Sequence, residues 1–225
     1  MGLQSKSVCE YNTYLIFDSV DPVSDLCYNI HMNTKLILTD ADGVIFDLEW
    51  AFRVWMTEHG YEFNEAGKKS YYLTHHYLDT DMDEILRRVK TFNESAAIGF
   101  LPALRDATHY VKRLHEEHGY QFRVITSLST DKNAAKLREM NLKKLFGSAI
   151  ESVICIETNA PKDDVLKPYE GSGLWWIEDK PENADVGHQL GLRSLLMEHG
   201  HNMNHRCNYP IVKNWKEIYD LVTGE

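Results

Sequence analysis

The chain has 225 residues, with 24 Lys+Arg against 34 Asp+Glu for a formal charge of −10, and it is 43% hydrophobic and 26% charged. That composition is globular and excludes collagen-like, low-complexity and wholly disordered chains; the length suits one domain with an insert, or two small domains. The acidic balance argues against a partner that is a nucleic-acid polymer or an anionic membrane, because either would repel the chain, while a small phosphorylated substrate in a locally positive pocket stays open.

Cys9, Cys27, Cys155 and Cys207 include no CxxC pair, which argues against a zinc ribbon or a thioredoxin-type site and for a reduced setting. No apolar run approaches the roughly 20 residues of a membrane span, and the first residues lack the basic and apolar regions of a secretory signal. The expectation is a soluble, cytoplasmic protein.

Residues 1–31 carry no clear period and read as a weakly specified N-terminal extension, with a hairpin or helix on the core as the alternative. The pattern sharpens at Lys35–Thr39, a short buried strand. Leu48, Ala51, Phe52, Trp55 and Met56 then follow helical spacing up to Gly60. Met82, Ile85, Leu86 and Val89 form a second stripe, and Leu104, Ala107, Val111 and Leu114 a third, with Pro102 near its start and Gly119 past its end. A strand at Gln121–Ile125 leads to a helix opened by Thr130 and Asp131, with Ala134, Leu137 and Met140 predicted inward. A strand (Ser152–Ile156), a helix from Lys162, a strand (Leu174–Ile177), a helix (Glu182–Leu190) and a strand (Arg193–Leu196) follow. A last helix carries Trp215, Ile218, Tyr219 and Val222. Short apolar strands alternating with amphipathic helices specify an α/β fold, a Rossmann-like parallel sheet with helices on both faces. Ligands of such sheets bind at the carboxyl ends of the strands.

Those ends are chemically marked. The first strand runs into Asp40-Ala41-Asp42-Gly43, two carboxylates in one tight turn. A calcium loop is excluded, since position 12 from Asp40 is Ala51 where an EF-hand needs Glu. The second informative strand ends in Thr126 and Ser127, a later helix opens at Lys162, with Lys167 a competing lysine, and a further strand ends in Glu178 and Asp179. Each has a bland reading: an Asp-rich turn, a helix cap, a solvated lysine, or acids complementing a helix dipole.

Taken in order, strand-DxD, strand-Thr/Ser, helix-Lys and strand-Glu-Asp, over roughly residues 34–200, the chain resembles the haloacid dehalogenase (HAD) superfamily, and "DADGVIFD" at 40–47 and "IEDKPENA" at 177–184 are the stretches most similar to it. The resemblance implies that Asp40 is a nucleophile forming a phosphoaspartate and that Asp42 moves the proton of the leaving oxygen and of the incoming water. It further implies that Thr126, Ser127 and Lys162 hold the phosphoryl oxygens. Like charges of Asp40, Asp42, Asp179 and a phosphate repel by about 4 kcal/mol per pair at 4 Å near a protein surface, so a cation is required. Hard oxygen donors point to Mg²⁺, held by Asp40, Asp179 and the backbone carbonyl of Asp42, with Glu178 supporting them.

The same resemblance divides the chain into a core of residues 32–47 and 101–225 and a helical cap of residues 48–100. The small cap, with Trp50, Phe52, Trp55, Tyr71 and Tyr72, is similar to that of the 5'(3')-deoxyribonucleotidases, which implies a 5'-nucleotidase acting on small nucleotides. Those enzymes carry a base-stacking aromatic where this chain has Leu48, leaving Trp50 as the candidate substitute. A phosphatase of another small metabolite, such as a sugar phosphate, and a non-catalytic phosphate sensor on the same fold are the competing expectations. His199, His201, His205 and Cys207 spell HxHxxxHxC; a polar loop is favoured there over a zinc site. His75 and His76 are further candidates for facing the substrate.

Overall fold

The computed structural model describes residues 15–16, 35–70, 73–77 and 80–225. Apart from Leu15 and Ile16, the expected extension of residues 1–31 lies outside the described residues, as do Tyr71 and Tyr72. Strand β1 (Leu15–Ile16) lies at one sheet edge, followed by β2 (Leu36–Thr39), β3 (Gln121–Ser127), β4 (Ile150–Ile156), β5 (Trp175–Glu178), β6 (Arg193–Met197) and β7 (Ile211–Val212). Their order across the sheet is β1-β4-β3-β2-β5-β6-β7. Six strands run parallel, and β1 alone pairs antiparallel, with β4.

The chain leaves β2 for β3 and β4 on one side and then crosses back to β5 on the other. This makes the carboxyl end of β2 the switch point of the sheet, where an open α/β fold has its crevice. Register sets what meets there: Thr39 lies opposite Val124 of β3 and Ile177 of β5.

The described residues form seven α-helices around the strands: α1 (Leu48–Glu58), α2 (Met82–Asn93), α3 (Ala107–His118), α4 (Lys132–Phe146), α5 (Asp163–Leu166), α6 (Pro181–Gln189) and α7 (Trp215–Thr223). Local chemistry explains their ends. Asp47 caps α1 by accepting from Trp50 N, and Asp131 caps α4 by accepting from Asn133 N and Ala134 N. Gly119, at φ +73°, ends α3 in the left-handed conformation that glycine takes without strain. No helix among the described residues is long and apolar enough to cross a membrane.

Two expectations shift. The inward face of α4 is Ala134, Ala135, Arg138, Asn141 and Leu142, while Met140 is exposed. Two polar residues on that buried face disguised its phase. The helix expected from Lys162 is a single turn, Asp163–Leu166, running into a 3-10 turn at Lys167–Tyr169. Strand β7, unmarked by any apolar run, completes the edge beside β6.

Between β2 and β3 the chain detours through α1 and α2. It enters and leaves through paired segments: Phe46 bridges Ala103, Leu104 N donates to Ile45 O at 2.7 Å, and Asp47 N donates to Pro102 O at 3.0 Å. Phe52 and Met56 of α1 and Ile85 and Phe92 of α2 are buried in a cluster continuous with Val44, Phe46 and Phe122 of the sheet layer. The rings of Phe52, Trp55, Tyr77 and Phe92 pack mostly edge to face.

Trp215 at the start of α7 is fully buried, and its indole N–H donates to Val44 O at 2.8 Å, pinning the turn that follows β2. Trp215→Ala is expected to cost about 3–5 kcal/mol, whereas Trp50→Ala, at a side chain 47% exposed, should stay within about 0.5 kcal/mol. Urea unfolding midpoints at unchanged slope check both values.

Candidate active site

The candidate residues converge at the switch point. A cleft of about 1100 Å³ is lined by Asp40, Asp42, Thr126, Ser127, Lys162, Glu178 and Asp179, with Leu48, Trp50 and Arg53 of α1 and Met82 and Leu86 of α2 on its far wall. Of the two competing lysines, Lys162 lines the cleft and Lys167 does not. His75 and His76 also line it.

Asp40 sits one residue past β2, its N–H donating to Ile177 O at 2.8 Å. One carboxylate oxygen accepts from Ala41 N at 2.6 Å and the other meets Lys162 Nζ at 2.9 Å. The same ammonium lies 2.8 Å from Glu178 Oε2, and it is 1% exposed. Glu178, fully buried, also accepts from the N–H groups of Asp179 and Lys180 at 3.1 and 3.0 Å. Among the described residues Asp40, Glu178 and Asp179 bring carboxylate oxygens within 4.8 Å of one another.

This crowding raises their proton affinity. Burial pushes Asp40 up to about 8, with Lys162 pulling against it and Glu178 and Asp42 adding repulsion. Burial, joined by the charge of Asp40, lifts Asp179 to about 7, and burial also raises Glu178. For Lys162, burial disfavours the ammonium, but Asp40 and Glu178 more than offset it, so the lysine stays charged.

Gly43 is what allows Asp179 to come so close. It adopts φ +72°, and a Cβ there would lie 2.3 Å from Asp179 Oδ2. The loop after β6 braces both acid-bearing turns. His199 Nε2–H donates to Gly43 O at 2.6 Å, His201 Nε2–H to Asp179 O at 3.1 Å, and Asn202 Nδ2 to Asp179 O at 2.8 Å. Burial holds both imidazoles below their ordinary range, His199 at about 4, so both are neutral donors. His205 instead approaches Asp185 at 3.4 Å, and the Cys207 thiol donates to Tyr209 O. The HxHxxxHxC residues are therefore spent on separate partners, as a polar loop would spend them.

Thr126 Oγ1 is buried with no partner among the described residues, a donor that a phosphoryl oxygen would satisfy. Ser127 donates to Ala160 O at 3.2 Å, which steadies the turn before Lys162. Asp42 faces the other way from Lys162: both its oxygens are gripped by the two terminal nitrogens of Arg138, the second contact at 3.0 Å. Sequence reasoning missed Arg138, His199, His201 and Asn202 as parts of the site. Only the out-of-place polar residues on the α4 stripe and the unexplained HxH pointed to them.

The donor set fits a hard divalent cation. Among the described residues the grouped donors are the carboxylates of Asp40, Glu178 and Asp179, which repel one another and offer the hard oxygens such an ion takes.

Comparison with known proteins gives the fold a class. No protein-family model matches the chain, and no curated protein matches it in sequence. Solved structures do. A haloacid dehalogenase-like hydrolase of Streptococcus pneumoniae superposes with a TM-score of 0.56 at 16% identity, covering 85% of this chain and 98% of that one. A HAD family hydrolase of Deinococcus radiodurans R1 with bound phosphate and sodium gives 0.54 at 17% identity, over 84% and 95%. The L-2-haloacid dehalogenase of Xanthobacter autotrophicus, with chloropropionic acid covalently bound, gives 0.56 at 11%, over 84% and 98%. The protein thus has the fold of the haloacid dehalogenase-like hydrolases, a Rossmann-like six-stranded parallel sheet with its helices.

The raised carboxylates set the pH behaviour of the metal-free protein. The unfolded chain loses these protons near pH 4, the folded one near pH 7 and 8, so in between the folded state holds protons that the unfolded state has released. Stability contributed by Asp40 and Asp179 therefore falls as pH rises through that window. Below about pH 6.5 the neutral His199 and His201 act in the opposite sense, so the Tm of protein in chelator is expected to drop between pH 6.5 and 8, at about 2–4 °C per kcal/mol. Millimolar Mg²⁺ at pH 8 should recover much of the loss, and Asp179→Asn should flatten the dependence.

Proposed function

We propose that the protein is a Mg²⁺-dependent phosphomonoester hydrolase working through a phosphoaspartate on Asp40, most like a 5'-nucleotidase on small nucleotides. The observation that carries this reading is the pairing of two different acids in one turn. Asp40 is buried against Lys162, while Asp42 is partly open to the cleft and held by Arg138. Two carboxylates in unlike environments suit two roles.

In this reading Lys162 orients Asp40, whose carboxylate attacks phosphorus as the P–O bond to the leaving group breaks. Asp42 supplies the proton that the departing alkoxide needs. Water then attacks the phosphoaspartate, Asp42 takes its proton, and inorganic phosphate leaves with Asp40 regenerated. Thr126 Oγ1 donates to a phosphoryl oxygen, and Lys162 balances the charge shifting onto the phosphoryl group. Bound Mg²⁺ supplies charge neutralisation at Asp40 and Asp179, which keeps the nucleophile ionised. Halide displacement, the chemistry named for the Xanthobacter neighbour, needs no proton for its leaving group, so only one of the two tasks given to Asp42 would be used there. That favours a phosphate ester.

Residues 48–100 act as the cap in this reading. The phosphoryl chemistry is common to all phosphomonoesters, so discrimination rests on groups touching the leaving group. Trp50, exposed on the cleft wall beside Leu48 and Arg53, is the ring available to a planar base, while Phe52 is buried in the core. The proposed setting is the cytosol, where the free thiols of Cys155 and Cys207 stay reduced.

Asp40→Asn should abolish turnover of nucleoside monophosphates and of p-nitrophenyl phosphate while circular dichroism stays unchanged. More than a few per cent of wild-type kcat in that variant would remove Asp40 as the nucleophile. Trp50→Ala should lower kcat/KM for a nucleoside monophosphate about tenfold, as loss of roughly 1–3 kcal/mol of stacking implies, and spare p-nitrophenyl phosphate. A parallel fall of both substrates would make Trp50 structural, and faster hydrolysis of sugar phosphates than of any nucleotide would leave only the phosphatase class.

A further inference from the structure

Arg138 is the least expected residue of the cleft region. It lies on the buried face of α4, where the helical period calls for an apolar side chain, and it is 0% exposed. Its two terminal nitrogens both engage the Asp42 carboxylate, its guanidinium carbon lies 5.3 Å from the centre of the Phe46 ring, and its Nε finds no acceptor among the described residues. Stability alone gives no reason for such a residue. A buried ion pair is commonly matched by well-packed apolar side chains, and the unpaired Nε makes this one poorer than most. What the fork does provide is direction. A guanidinium gripping both carboxylate oxygens fixes the plane of the carboxylate as a single contact cannot. A carboxylate has about four lone-pair sites, so the two oxygens keep acceptor capacity toward the cleft.

We infer that Arg138 is a positioning residue that holds the Asp42 carboxylate at the angle needed for proton transfer to the leaving group and from water. The inference rests on the phosphatase reading given above. Arg138 is not among the residues lining the cleft, and it acts only through Asp42. Losing the fork should therefore slow turnover while leaving substrate affinity almost unchanged. A displacement of about 1 Å in a catalytic group can cost about a hundredfold.

The test is a double-mutant cycle on kcat and KM with Asp42→Asn, Arg138→Met and the double variant, with Arg138→Lys alongside. Met fills much of the arginine's volume, and Lys keeps the charge without the fork, so one of the two remains folded if the other does not. Arg138→Met is expected to lower kcat about 10- to 100-fold with KM within about twofold, and Arg138→Lys should fall between it and wild type. In the Asp42→Asn background the Arg138 change should lower kcat no further than about twofold, because the residue it serves is gone. Full kcat in a folded Arg138→Met or Arg138→Lys variant overturns the inference, as does an equal loss with and without Asp42. Either result with normal wild-type turnover and an inactive Asp40→Asn leaves the phosphatase reading standing. A wild-type protein without activity on any phosphate ester removes both.

Discussion

Everything at the switch point depends on one constraint: like charges forced together by sheet topology. Because β2 and β5 are neighbours in fixed register, Asp40 must lie beside Glu178 and Asp179. Burial then removes the water that would screen them, and the cost is offset by the single ammonium of Lys162, shared between Asp40 and Glu178 at 2.9 and 2.8 Å. A buried ion that loses its partner is strongly destabilising, so the turn carrying Lys162 cannot drift. Ser127, donating to Ala160 O, holds that turn to the end of β3.

The two cations reach the acids by different routes. Lys162 comes from the turn after β4 and meets Asp40; Arg138 comes from α4, which follows β3, and meets Asp42. Adjacent acids in one turn thereby acquire different surroundings. One is buried, with its proton affinity raised by desolvation; the other is partly exposed and oriented by a fork. Separate environments are how a site gives two carboxylates two tasks, and here the separation follows from which crossover helix reaches which side chain.

The alternation of strands and helices was legible in the sequence because each strand is a short apolar run and most helices keep a clean stripe. The acids, Thr126 and Lys162 were legible for a further reason: strand ends are where an α/β sheet exposes its chemistry. What escaped were residues whose role is set by tertiary approach. Arg138 and Asn141 interrupt the apolar face of α4, so the stripe read out of phase and Met140 was turned inward. His199, His201 and Asn202 act by donating to backbone carbonyls of Gly43 and Asp179, contacts that carry no spacing signature. The need for Gly43 was visible only as a glycine after two acids. Its reason, the closeness of Asp179, depends on a residue 136 positions away.

Helix α4 links the chemistry to the detour that covers it. Arg138 on its buried face holds Asp42, and one turn later Asn141 donates to Leu101 O at 3.1 Å, at the point where the chain returns from residues 48–100. The guanidinium of Arg138 also rests over Phe46, which bridges Ala103 in the paired segments through which that detour enters and leaves. The support for Asp42 and the support for the detour's root are thus one set of side chains on one helix face. Arg138 and Phe46 lie between the root of the detour and Asp42, while Asp40 is held instead by Lys162 and by the backbone of β5. Of the two acids, the one gripped by the guanidinium is the one joined through Phe46 to the root of the detour.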